Sequence, residues 1–421
     1  MDRLLINGPC RLDGEVLAAG AKNAALPALA ASLLTEETVV LSRVPEVRDV
    51  RTMTRLLEHL GVEAESADGR RRLTHRGPAD GDDAPYDLVK TMRASVLVLG
   101  PLVARLGHAR VSLPGGCAIG PRPIDQHLAG LEALGAEVTL DHGYVSARAD
   151  RLRGARFRFA SPTVGGTENV MMAATLARGT TVLENCAREP EIRDLAALLT
   201  RMGARISGAG SGTLEIEGVD ALGGAEHGVL PDRIEGGTYL LGAAITGGRV
   251  RLNGTEPADL ASLTEKLTAC GCRVEVGEDW IEVENGGEIE SRDVETSPHP
   301  GFATDLQAQY LALMTQARGV ATIRENVFEN RFQHVAELNR MGARIVVDGR
   351  EARVEGPTPL GGARVMATDL RASASLVLAA LVARGETVID RVYHLDRGYE
   401  KMELKLQNLG ARVERAGGGS V

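Results

Sequence analysis

One motif recurs six times along this chain, and it constrains the fold more than any other feature. An amphipathic helix end runs into a glycine, most often as Leu/Met-Gly-Ala, and then into an alternating strand. The copies centre on Gly61, Gly135, Gly203, Gly271, Gly342 and Gly410, at intervals of 74, 68, 68, 71 and 68 residues. Two of the clearest are Leu199-Thr200-Arg201-Met202-Gly203-Ala204-Arg205-Ile206 and Leu338-Asn339-Arg340-Met341-Gly342-Ala343-Arg344-Ile345. Near-constant spacing identifies internal repeats rather than a generic α/β chain. A glycine just after a helix suits the C-terminal position where the backbone takes positive φ.

A second motif lies between successive copies. An Ala/Leu-rich helix ends in a short turn and leads into a β-branched strand, as in 171–183 and 377–389. The stretches 29–41, 102–113, 240–252 and 311–323 have the same outline. Each unit of about 70 residues therefore carries two helices and several strands, an α/β pattern. Six units group as three plus three. That predicts two domains with a cleft between the halves, where ligands commonly bind. The boundary is expected near 228–232, after the third unit.

Composition narrows the function. Glycine is 50 of 421 residues, about 12% against a usual ~7%. With one Trp, six Tyr and five Phe, the core must be aliphatic. The formal charge of −9 argues against a nucleic-acid or anionic-membrane surface but leaves an anionic small-molecule substrate open. No apolar run approaches the ~20 residues of a membrane span. The first residues lack the apolar core of a signal peptide. Five scattered cysteines argue against a disulfide framework. The expectation is a soluble, reduced, cytoplasmic protein.

The segment Leu113-Pro114-Gly115-Gly116-Cys117-Ala118-Ile119-Gly120-Pro121-Arg122-Pro123 holds three glycines and three prolines, so it reads as a loop. Cys117 there is either a reactive thiol, with Arg122 able to lower its pKa, or an inert one. Lys22 and Asn23 follow Ala19-Gly20-Ala21 at a helix start, where an anion is favoured. Lys22 reads either as a phosphate ligand or as a solvated surface lysine. Arg93, Arg331, Arg371 and Arg397 stand in apolar or Gly-rich settings and suit carboxylate or phosphate, although any one alone is more often a surface ion pair. Asp305 falls at a loop-to-helix junction, as a helix cap or a base. There is no phosphate-binding P-loop and no His-Glu-x-x-His. Cys270 and Cys272 lack zinc spacing, and His127, His299 and His394 lack metal spacing.

Taken together, several of these segments resemble the UDP-N-acetylglucosamine 1-carboxyvinyltransferases of the enolpyruvyl transferase family. They are Gly20-Ala21-Lys22-Asn23-Ala24, Leu113-Pro114-Gly115-Gly116-Cys117, Gly120-Pro121-Arg122-Pro123, Ala187-Arg188-Glu189-Pro190-Glu191-Ile192 and Leu230-Pro231-Asp232-Arg233-Ile234-Glu235. Asp369-Leu370-Arg371-Ala372-Ser373 and Asp396-Arg397-Gly398-Tyr399-Glu400 complete the set. The resemblance runs from residue 1 to about 415.

The resemblance implies an α/β fold: a two-domain inside-out α/β barrel of six repeated βα units, three per domain. One domain would span 22–229 and carry the Cys117 loop. The other would join 1–21 to 230–421, with the active site in the cleft. The implied reaction moves the enolpyruvyl group of phosphoenolpyruvate to the 3′-hydroxyl of UDP-N-acetylglucosamine through a tetrahedral ketal, with release of phosphate. It is the first committed step of peptidoglycan synthesis, and so serves the cell wall, cell shape and cell division.

By resemblance, Cys117 donates the proton and forms the adduct that makes such enzymes fosfomycin targets. Asp305 is the base, and Lys22, Arg122 and Arg397 meet the phosphate. Arg331 and Arg371, beside Asp369, meet the carboxylate, and Asn23 contacts the reacting groups. Arg93, Arg122, Pro123, Ile124, Asp125, Gln126, Ser161, Pro162, Thr163, Val164, Asp305 and Val327 match the UDP-sugar contacts. One departure is that 161–165 lacks a lysine that some members carry near the diphosphate. No cofactor, metal, nucleic acid or membrane is implied, and the oligomeric state stays open. The alternatives are an enolpyruvyl transferase for another acceptor, a nucleotide or 5-phosphoshikimate, and a non-catalytic UDP-sugar-binding regulator.

Overall fold

The computed structural model describes residues 2–77, 83–90, 92–113 and 124–417. The chain divides into two compact units. Among the described residues the first unit lies within 20–230, and the second joins 2–19 to 231–417. Each unit has its own aliphatic core.

In the first unit three apolar helices lie inside: Lys22–Ala31, Leu99–Leu106 and Val164–Ala174. Ala24 through Ala31 are all buried, which explains why this helix is apolar on every side. Three four-stranded sheets surround these helices, all with one pattern. In one of them Arg156–Arg158 runs parallel to Thr180–Glu184, which pairs antiparallel with Thr213–Glu217, itself antiparallel to Arg205–Ser207. Alternation on Thr213–Glu217 buries Leu214 and Ile216 and exposes Thr213, Glu215 and Glu217. Amphipathic helices cover the outside. Arg48–His59 buries Val50, Met53, Leu56 and Leu57 and turns its arginines outward.

The second unit repeats this plan around Arg233–Thr246, Gln307–Met314 and Leu370–Val382. Its sheets draw on the start of the chain. Arg3–Gly8 is a central strand between Gly385–Asp390 and Val413–Ala416, and Asp13–Leu17 runs parallel to Arg249–Asn253. Each unit is thus a barrel turned inside out, with helices within and sheets outside. The chain passes from the second unit to the first after residue 19 and returns after residue 230. Each pass is tied within its own unit. Asp232 N–H donates to Ala19 C=O, and Ala21 N–H donates to Leu230 C=O, both at 2.8 Å.

All six repeat glycines take positive φ, from 87° at Gly61 to 106° at Gly203. A side chain at these helix ends would be strained by roughly 1–2 kcal/mol. The repeat glycine is therefore a backbone requirement. Among the described residues no helix is long and apolar enough to cross a membrane.

Candidate active site

In the second unit a carboxylate and two arginines come together at the starts of the buried helices. Asp305 sits in the short turn Thr304–Leu306 that leads into Gln307–Met314. Its side chain caps nothing there. Oδ1 accepts from Arg331 Nη2 at 2.6 Å, and Oδ2 accepts from Arg371 Nη2 at 2.8 Å. The arginine side chains are only 5% and 6% exposed, while that of Asp305 is 25% exposed. Burial alone would raise the Asp305 pKa. Arg371 and then Arg331 outweigh it and hold the carboxyl well below the usual range.

Packing holds both guanidinium groups. Arg331 lies over the Phe328 ring at 4.9 Å, and Arg371 over the Tyr399 ring at 5.7 Å. Arg331 Nη1 also donates to Thr304 Oγ1 at 2.7 Å. Thr304 donates in turn to Glu325, which also accepts from Thr296 and from the Val327 and Phe328 N–H groups. Glu325, 1% exposed, thereby sets the turn carrying Val327 against the turn carrying Asp305. Each arginine keeps a buried N–H with no hydrogen bond among the described residues, Nε of Arg331 and Nη1 of Arg371. Two spare donors beside an ionised carboxylate suit a second, incoming carboxylate.

Asp369 caps Leu370–Val382 by accepting from the N–H groups of Arg371 and Ala372 at 2.8 and 3.0 Å. Its role in the fold is thus to fix the turn that aims Arg371. Arg397 ends the Val392–Arg397 turn and is half-buried. The neighbouring Asp396 is bound by Arg415 at 2.7 Å.

In the first unit the candidates again stand at helix starts. Lys22 is the first residue of Lys22–Ala31, and Asn23, half-buried, is the second. Lys22 Nζ meets Asp49 Oδ2 at 2.7 Å, with 13% of the lysine side chain exposed, so it is not a solvated surface lysine. Arg93 opens the Arg93–Val98 turn. Ile124, Asp125 and Gln126 begin the helix Asp125–Ala133, and 161–164 lead into Val164–Ala174. Gln126 and Ser161 bind reciprocally. Gln126 Nε2 donates to Ser161 Oγ at 3.2 Å, and Ser161 N–H donates to Gln126 Oε1 at 3.3 Å. Pro162 is exposed, and Thr163 accepts from Gly166 N–H at 3.3 Å.

Cys117, Arg122 and Pro123 lie outside the described residues. Burial pushes the Cys186 thiol up to about 11 and the Cys272 thiol up to about 12, so both are inert. Among the described residues no cluster of His, Cys, Asp and Glu is arranged to hold a metal ion.

Buried guanidinium pairs and helix starts suit small dianions, and comparison with known proteins gives that chemistry a family. The sequence matches the family described as EPSP synthase (3-phosphoshikimate 1-carboxyvinyltransferase) over residues 6–406. The chain is a member of that family.

Within this family of carboxyvinyl, or enolpyruvyl, transferases it has close full-length relatives. It is 56% identical to a UDP-N-acetylglucosamine 1-carboxyvinyltransferase of Koribacter versatilis, over 99% of this chain and 97% of the relative. It is 55% identical to the protein of the same description from Psychrobacter sp., over 99% of this chain and 96% of the relative. Among solved structures, the enolpyruvyl transferase NikO from Streptomyces tendae matches with a TM-score of 0.88 at 27% identity, covering 98% of both chains. An EPSP synthase from Acinetobacter baumannii shares the fold, with a TM-score of 0.76 at 18% identity.

Several residues of this family member escape sequence reasoning. Asp49 pairs with Lys22, Glu325 orders the Val327 turn, and Asn169 holds His127. Asp49 and Asn169 act on partners distant along the chain, and Glu325 ties its own turn to the distant Thr296 and Thr304, so no local pattern marks them.

Proposed function

We propose that this chain transfers the enolpyruvyl group of phosphoenolpyruvate to the 3′-hydroxyl of UDP-N-acetylglucosamine and releases phosphate, in the cytoplasm, as the first committed step of peptidoglycan synthesis. The observation that carries this reading is identity above one half, over 99% of the chain, to two proteins described as UDP-N-acetylglucosamine 1-carboxyvinyltransferases.

The chemistry asks for an acid, a base and cations. A proton goes to the methylene carbon of phosphoenolpyruvate while the sugar oxygen adds to the neighbouring carbon, giving the ketal. Loss of a proton from the new methyl group then expels phosphate. Cys117 gives the first proton, and Asp305 takes the hydroxyl proton. Lys22, Arg122 and Arg397 neutralise the phosphate, with Asn23 at the reacting groups. Arg331 and Arg371 bind the substrate carboxylate. Arg93, the 122–126 and 161–164 stretches and Val327 hold the UDP-sugar.

The pairing of Asp305 adds a refinement. Clamped by two arginines, it is a weak base at rest. A substrate carboxylate on the spare Arg331 and Arg371 donors shares their charge, weakens the clamp and makes Asp305 more basic as the substrates assemble.

A phosphate-release assay with purified chain and phosphoenolpyruvate tests the reading. Release should require UDP-N-acetylglucosamine and stop with fosfomycin, and a Cys117→Asp variant should keep activity while losing that sensitivity. Release with only 5-phosphoshikimate or another nucleotide would move the acceptor. UDP-sugar binding without any release would make the chain a regulator.

A further inference from the structure

One buried side chain joins the three inner helices of the second unit. Tyr399 follows the Val392–Arg397 turn and is 2% exposed. The residue before it packs closely: a Cβ on Gly398 would stand 2.7 Å from Leu370 Cδ2 and push aside the first residue of Leu370–Val382. Tyr399 Oη lies 2.8 Å from Thr238 Oγ1 of Arg233–Thr246 and 3.1 Å from Gln309 Nε2 of Gln307–Met314. Thr238 and Gln309 are both fully buried.

The neighbours fix which groups donate. Thr238 Oγ1 gives its single hydrogen to Ile234 C=O at 2.8 Å, so it accepts from Tyr399. Gln309 Nε2 lies 3.1 Å from Asp305 C=O, and a carbonyl only accepts, so that end of the amide is the nitrogen. Its other hydrogen serves Tyr399 Oη and Thr238 Oγ1, at 3.1 and 3.2 Å. Gln309 Oε1 is left buried with no hydrogen bond among the described residues. Turning the amide over would set oxygen against oxygen at Asp305. For stability alone, an apolar side chain at 309 would avoid that orphaned acceptor.

Both ends of this network reach the charged cluster. Gln309 holds the peptide of Asp305, whose Oδ2 accepts from Arg371 Nη2 at 2.8 Å. The Tyr399 ring lies under the Arg371 guanidinium at 5.7 Å. One side chain thus locates both partners of that ion pair, Asp305 through its hydroxyl and Arg371 through its ring.

We propose that Tyr399 is a positioning residue for the transfer reaction: its hydroxyl, through Gln309, sets the Asp305 main chain, and its ring sets Arg371. The proposal rests on the function proposed above for the roles of Asp305 and Arg371. Tyr399 acts through those two side chains rather than on the substrates.

Variants of the full chain test it, at a temperature where urea curves show them folded. Tyr399→Phe keeps the ring and loses the hydroxyl, so kcat should fall roughly tenfold, with KM for phosphoenolpyruvate within about twofold of the parent. Tyr399→Leu loses the ring as well, so KM for phosphoenolpyruvate should also rise, by roughly fivefold or more. Gln309→Met removes the link. Added to Tyr399→Phe it should lower kcat no further than the stronger single variant does, because the two act in series. An unchanged kcat in Tyr399→Phe would overturn the proposal. So would independent, multiplying effects in the double variant, or equal changes in kcat and KM in Tyr399→Phe, the mark of a merely structural role. A second cycle reads positioning without turnover, and it stands if Tyr399→Leu does not fold. Asp305→Asn should raise the unfolding constant by a factor about threefold smaller in the Tyr399→Phe background, where the carboxylate no longer sits as well on Arg371. Equal factors in both backgrounds would overturn the proposal. If the parent releases no phosphate with UDP-N-acetylglucosamine, the proposed reaction fails while this cycle still decides on Tyr399.

Discussion

The three buried helices of each unit begin differently, although the units share one repeat. In the second unit two of the three carry aspartate caps. Asp232 accepts from the N–H groups of Ile234 and Glu235, and Asp369 from those of Arg371 and Ala372. The third is preceded by the turn holding Asp305, bound to two arginines. In the first unit the preceding residues are Ala21, Val98 and Thr163, and of these only Thr163 makes a side-chain cap. A helix start carries partial positive charge and N–H groups without a partner inside the helix. The second unit meets that charge with its own carboxylates and presents guanidinium groups instead. The first unit leaves more of it without a side-chain cap, with Lys22, Arg93 and neutral His127 nearby. One repeated fold thus carries two kinds of helix start, one met by side-chain charge and one left largely to the backbone.

The largest effect should come from breaking the charged cluster. Asp305→Asn leaves two buried guanidinium groups without their anion and should cost about 3 kcal/mol of unfolding free energy, read from urea curves, besides the loss of turnover. Asp49→Asn, which strips the more accessible Lys22, should cost less. Equal losses would erase the distinction between the units.

Acid should come next. His127 in the first unit and His334 in the second both have pKa values lowered to about 4. Burial is the main cause, with Arg93 adding to it at His127 and Arg331 opposing Asp369 at His334. Between the unfolded value near 6.5 and 4, the unfolded chain binds protons that the folded chain refuses. Stability is therefore full above about pH 6.5 and falls as pH drops, by up to about 1.4 kcal/mol per pH unit per histidine. Urea curves at pH 7, 5.5 and 4.5 measure this. A His127→Asn/His334→Asn double variant should lose much of that slope, and an unchanged slope would assign it to other groups.

Smaller differences should separate the caps. Asp232→Ala removes two hydrogen bonds from a helix start and should cost about 1–2 kcal/mol in thermal or urea unfolding. Thr163→Ala removes a single 3.3 Å bond and should cost about 0.5 kcal/mol. A reversed order would break the contrast between a self-neutralised unit and an open one.

Much of the fold was legible because its cause is local. The six glycines end helices at positive φ, and that demand shows at every copy from Gly61 to Gly410. The Ala/Leu-rich segments read as helices and became the buried ones, since a stretch without a polar face has nowhere else to go. The candidate cations were legible by type and setting, but their partners were not. Asp305 reads locally as a cap or a base. Its two arginines come from 26 and 66 residues away, and the cap alternative gives way to a clamp. No spacing rule links His127 to Asn169, 42 residues on, or Lys22 to Asp49.

The sequence by itself determined the periodicity: which segments are helix, where each must stop, and that the same unit is built six times. Those outcomes rest on propensity, apolar pattern and backbone φ, which act over a few residues. Tertiary structure alone decided the charge states and donors. Arg331 and Arg371 hold Asp305 ionised, and Asn169, oriented by Gly100 and Val96, settles which nitrogen of His127 carries the proton. Desolvation and hydrogen bonding depend on what stands within a few ångströms, and packing of distant segments, rather than order along the chain, chooses those neighbours.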